Sequence, residues 1–221
     1  MWKSMVRLGV VWALASGVLA CANPEVVNII EPTVDPGSPD LKTGPEPGPG
    51  LTMLPVRAFQ QTTFYTCGPA ALLTLLRYYD RNGDEMIIAD EAKCTMEKGT
   101  NPEGMVSWLE GHGFQVTWGE NGSLALLREN LERGVPTLVE WIDYGGHWVL
   151  VVGYDTRDTE TPNDDIIYFA DPADVHDDAR DGLTSFNALR FDAMWFDAFL
   201  FDRPMFKLFI TAVPNDDMGG G

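Results

Sequence analysis

Cys67 lies in the segment Gln60-Gln61-Thr62-Thr63-Phe64-Tyr65-Thr66-Cys67-Gly68-Pro69-Ala70-Ala71-Leu72, where a polar loop gives way to an apolar run that reads as a helix. Pro69 suits a first helical turn. A thiol at a helix start meets unpaired backbone N–H groups and the positive end of the helix dipole, and both favour the thiolate. Thiolate is the form that attacks a carbonyl carbon. Gly68 is expected to leave the backbone beside the sulfur open to a substrate. A cysteine in this place would serve equally as a small buried residue beneath a helix, so a catalytic reading needs further groups.

A nucleophile of this kind needs a base that titrates near neutrality, which histidine supplies. The chain has three histidines. His147 opens the apolar run Gly145-Gly146-His147-Trp148-Val149-Leu150-Val151-Val152-Gly153-Tyr154-Asp155, so a strand would hold its ring at a cleft mouth while the glycines leave room. His112 sits in Gly-His-Gly, where helix capping accounts for it. His176 lies among Asp174, Asp177 and Asp178 and reads as part of a solvated acidic loop. Asp171 ends the run Ile166–Ala170 and precedes Pro172, a rigid place for a carboxylate that orients an imidazole; a turn-starting aspartate is the plainer alternative. Gln61, six residues before Cys67, can offer a side-chain amide to an oxyanion, with the Cys67 N–H as its partner.

The elements that must position these groups can be read from periodicity and punctuation. Leu72, Leu73, Leu75 and Leu76 mark a helical stripe from Ala70 to Tyr79, ended by Asn82-Gly83. A second helix is expected over Glu85–Cys94. Asn101-Pro102-Glu103 opens a third through Leu109. Phe114–Trp118 alternates like a strand, and Ser123 caps a helix through Glu132, closed by Gly134. Pro136–Ile142, His147–Tyr154 and Ile166–Ala170 are β-branched or aromatic runs that predict neighbouring antiparallel strands. Thr184–Phe196 reads as a helix and Met205–Val213 as a final strand. Helices first and strands later give an α+β class around one core.

Gln61, Cys67-Gly68-Pro69-Ala70, Gly146-His147-Trp148-Val149 with Gly153-Tyr154-Asp155, and Asp171-Pro172 together resemble the bacteriocin-processing (double-glycine) cysteine peptidases and their stand-alone bacterial relatives. Gly99-Thr100 and the helix after Pro102 match that group's middle segment, and the resemblance spans roughly Leu54–Val213. It implies a papain-like fold, N-terminal helices on an antiparallel sheet, and the catalytic order Cys67, His147, Asp171, with Gln61 assisting the oxyanion. The expected activity is hydrolysis of a peptide or other amide bond through an acyl-enzyme. Acyl transfer or deamidation by the same residues, and a non-catalytic surface module that retains the fold, are the alternatives. The best-known members of that group are fused to an export transporter; this sequence has no Gly-x-x-x-x-Gly-Lys-Ser/Thr loop for ATP.

Outside that region, Lys3 and Arg7 followed by the uncharged run Leu8–Ala20 read as a signal peptide, residues 1–20. Val18-Leu19-Ala20-Cys21 resembles a lipobox, with Cys21 as lipidation site and lipid anchor; cleavage after Ala22 is the competing reading. Residues 21–52, rich in Pro and Gly, predict an extended tether, residues 53–215 the peptidase domain and 216–221 a flexible tail. The expected location is the bacterial cell envelope or, without the lipid, the periplasm or exterior. Export would also permit a Cys67–Cys94 disulfide. With 15 Lys+Arg against 33 Asp+Glu and a net charge of -18, no basic stripe exists to bind nucleic acid. The partners expected are a peptide or protein substrate and the membrane, for a monomer. No cofactor is expected, and the three separated histidines form no compact zinc pattern. Asp80-x-Asn82-x-Asp84 with Glu91 has calcium-loop spacing, but Glu85 stands where the sharp turn wants glycine, and an Asn-Gly turn explains it better. Trp141, Trp148 and Trp195 read as core.

Overall fold

A computed structural model describes residues 45, 48–176, 179–197 and 203–215. The expected signal peptide, Cys21, most of the tether and the tail lie outside them.

Helix α1, Cys67–Tyr78, is apolar around its circumference, and every residue from Cys67 to Leu76 is buried. A helix of that kind must be central. Three flanking helices start where side chains cap them. Asp84 accepts from the N–H groups of Met86 and Ile87 to open α2, Glu85–Glu91. Asn101 accepts from Gly104 N–H at 2.7 Å to open α3, Pro102–Gly111, with proline in its first turn. Ser123 caps α4, Leu124–Glu132, through Leu126 N–H. Each side chain satisfies donors that a helix start leaves unpaired.

The sheet is antiparallel throughout, built from β2 (Phe114–Gly119), β3 (Thr137–Trp141), β4 (His147–Asp155), β5 (Ile166–Ala170), β6 (Leu183–Asn187) and β7 (Phe209–Pro214) in the order β2-β7-β3-β4-β5-β6. A short strand β1, Leu51–Met53, pairs with the far end of β4, Thr52 opposite Tyr154. It takes in Leu51 and Thr52, which the sequence reading leaves with the proline-rich segment. Strand β3 is buried along its whole length and β4 from His147 to Tyr154, with α1 packed on β4. Leu72, Leu75, Val149, Leu150, Val151, Phe169, Trp141 and Trp148 belong to one continuous core.

Two expectations need correction. Thr184–Phe196 is not one helix: Leu183–Asn187 pairs along β5 as β6, and Asn187 then caps the short helix α5, Ala188–Met194, by accepting from Arg190 N–H. The final strand starts at Phe209 rather than Met205, because Lys207 adopts a positive φ of 51° and Phe206 instead bridges Phe196. In both places pairing with a distant segment overrides the local pattern.

Candidate active site

The N-terminus of α1 is left uncapped. Thr66 occupies the cap position, makes no capping hydrogen bond and instead approaches the Thr63 hydroxyl at 2.9 Å. The first N–H groups of the helix therefore remain available beside Cys67. Gly68 does not open space for a substrate as expected. A Cβ there would lie 2.9 Å from the Thr100 side chain and 3.2 Å from Met105 Sδ, so glycine allows α1 to approach that segment closely. Trp148 Nε1 donates to the Thr100 carbonyl at 2.9 Å and fixes the same segment to β4.

His147 is delivered by a turn in which Tyr144, Gly145 and Gly146 have φ of 53°, 91° and 154°. At 145 and 146 glycine is needed for its backbone, since such angles are strained for other residues. His147 is 2 % exposed. Its Nε2 meets Asp171 Oδ1 at 2.8 Å, and it also shares a side-chain hydrogen bond with Cys67, for which Nδ1 remains. Asp171 is fully buried at the end of β5, and its Oδ1 also accepts from Ala173 N–H at 2.9 Å. Two hydrogen bonds tie the loop before α1 to the loop after β5: Gln61 N–H to the Pro172 carbonyl, and Gln60 Nε2 to the Asp171 carbonyl.

These groups tune one another. Burial pushes the Cys67 thiol up, but the hydrogen bond and charge of His147, with the N–H groups of Trp148 and Gly68, bring it below its ordinary value. Burial opposes a charged His147, yet Asp171 and Cys67 raise it to about 10. Burial likewise opposes the Asp171 carboxylate, and His147 with Ala173 N–H lowers it to about 2. Each shift favours the charged form of its group, and a thiolate beside an imidazolium is an arrangement that can attack a carbonyl with an acid already in place. Gln61 Nε2 donates to the Thr63 carbonyl at 2.7 Å, leaving its second amide hydrogen unused, while Oε1 is buried without a partner.

Cys67 and His147 line a cleft of about 390 Å³ together with Gln61, Lys98, Thr100, Glu140 and Trp148 and with the apolar Phe64, Met96, Tyr144 and Val175. Those four apolar residues are 77, 59, 64 and 48 % exposed. Cys94 is a free thiol, as is Cys67, and donates weakly to the Tyr65 carbonyl. Burial pushes its thiol up. His112 stacks on Trp108 and bonds the Trp108 carbonyl at the end of α3.

Three residues of this region escaped the sequence reading. His176 is not freely solvated: its ring packs on Phe186, its Nε2 lies 2.5 Å from Asp143 Oδ2 and 4.0 Å from Asp171 Oδ2. Asp174, read with it as solvated, is 1 % exposed and accepts from Gly182 N–H. Glu140, hidden in an apolar strand, lines the cleft. A charge within a run otherwise read as core was the one available signal.

Comparison with known proteins fits this arrangement. The peptidase domain of Streptococcus ComA, a bifunctional ABC transporter of a quorum-sensing pathway, superposes with a TM-score of 0.54 at 19% identity, covering 72% of this chain and 99% of that one. A protein from Bacillus anthracis described as a C39-like peptidase gives 0.52 at 16% identity, covering 75% and 98%. At such identities the likeness is one of fold. No curated protein matches the sequence. The family model of the Peptidase_C39 like family matches residues 53–195. With that match over most of the chain and a papain-like α+β fold beneath it, the chain belongs to the Peptidase_C39 like family.

Proposed function

We propose that the chain is a cysteine hydrolase that cleaves peptide bonds, with Cys67 as nucleophile, His147 as general acid and base, Asp171 orienting His147, and Gln61 with the Cys67 N–H binding the oxyanion. Membership of a cysteine-peptidase family supports the reaction class. The observation that carries the reading is the buried row Cys67–His147–Asp171, whose first two members line an open cleft that also holds exposed apolar residues. Cys67 Sγ attacks the carbonyl carbon and the oxygen takes the negative charge. His147 then protonates the leaving amine, which departs as the C–N bond breaks. Water, deprotonated by His147, attacks the thioester and releases the acid and the thiol.

Cys67→Ala should abolish turnover of peptide substrates while the far-UV spectrum and melting temperature stay close to wild type. A retained rate in the alanine variant would refute the assignment. The lipobox-like Val18-Leu19-Ala20-Cys21 supports a further element of the proposal, export with lipid on Cys21. Mass spectrometry of the mature N-terminus distinguishes that from cleavage after Ala22.

A further inference from the structure

Glu140 is the charged residue of β3, a strand otherwise made of Thr137, Leu138, Val139 and Trp141. It stands opposite Trp148, the residue after His147, and lines the cleft together with Cys67. It is 2 % exposed, and its Oε2 is buried without a hydrogen-bond partner. A buried acceptor in that state costs stability, and native structures retain few such groups without a use for them. Burial, buried Asp197 and the Cys67 thiolate all act against its ionisation, and only His147 favours it. The cleft's own cations, His147 and the exposed Lys98, make no hydrogen bond to Oε2, which is left for a donor from outside the cleft wall.

We infer that Glu140 is the specificity determinant of the cleft, selecting peptides that present a lysine or arginine side chain within two residues of the scissile bond. The inference rests on the peptide-hydrolase reading above. Lys and Arg have apolar stems and charged tips. A stem of that kind suits a cleft whose lining includes the exposed Phe64 and Tyr144, while a turn of the Glu140 side chain brings the buried Oε2 onto the tip, which supplies a donor and a countercharge together. Glu97, the other cleft-lining carboxyl among the described residues, is exposed at the surface. The chain's net charge of -18 further attracts cationic peptides.

The test is cleavage of a mixed peptide library by the full mature chain, read by mass spectrometry, followed by matched peptides with lysine, norleucine or diaminobutyrate at the enriched position. Wild type should favour lysine over norleucine in kcat/KM by about tenfold or more, and Glu140→Gln should bring the two near parity. Diaminobutyrate, two methylenes shorter, should lose the advantage in wild type, a readout that does not depend on the variant folding. No basic preference, a preference kept in Glu140→Gln, or one kept by diaminobutyrate and lost in Glu97→Gln would each overturn the inference. If no peptide is cut at all, the hydrolase reading fails first. Cleavage without basic preference removes only the role of Glu140.

Discussion

The lowered thiol of Cys67 and the raised imidazole of His147 follow from where the two residues begin their elements, one at an uncapped helix start and the other at the first position of a buried strand. Asp171, low at about 2, is charged across the working range and holds His147 protonated. Because Cys67 is lowered and Cys94 raised, iodoacetamide at pH 6 should alkylate Cys67 faster by about tenfold or more. Peptide mapping after a short pulse reads both rates, and equal slow labelling would contradict the ion pair. Asp171→Asn should lower kcat by about 10²–10⁴-fold, the usual worth of a positioned acid–base group, measured on a peptide that wild type cleaves.

Helix α3 carries Thr100 and Gly99 to the cleft, and its two glycines have opposite roles. A Cβ on Gly104 would lie 2.3 Å from the Ala92 carbonyl, whereas Gly111 has no neighbour within 4 Å. Gly104→Ala should therefore destabilise by about 1–3 kcal/mol, as overpacking does. Gly111→Ala should stabilise by up to ~1 kcal/mol from helix propensity. Urea melts of the two variants check the signs. Helix α1 and strands β3, β4 and β5 were legible because each is a long apolar run with clear punctuation. Strand β6 was not, because Leu183–Asn187 has no strong signal of its own and gains strand geometry from β5. Residues 205–208 read as strand for the converse reason: the apolar pattern continues, but Lys207 turns the backbone.

Across the whole molecule, buried charge makes stability depend on pH in two directions. Asp171 has a folded value below its unfolded one of about 3.9. Its contribution is present above pH 4 and lost as pH falls toward 2. His147 and Glu140 are raised. Their contributions are complete below their unfolded values, about 6.5 and 4.3, and are lost as pH rises toward each folded value. Glu140→Gln removes only the last of these. Its melting temperature relative to wild type should rise between pH 4 and pH 8, and a difference independent of pH would show that Glu140 is not held neutral.

The sequence by itself determined the order and types of the chemical groups. A cysteine before Gly-Pro, a histidine after Gly-Gly and an aspartate before proline are local patterns, each set by the backbone of a few adjacent residues. Only the tertiary structure decided what stands around them. Glu140 sits in a strand buried throughout, where alternation between faces is erased and sequence cannot say which side chain meets the cleft. His176 lies in an acidic loop whose composition predicts solvent, yet long-range packing sets it between Asp143 and Phe186. Contacts between segments far apart in the chain depend on register and packing, and no window of neighbouring residues contains that information.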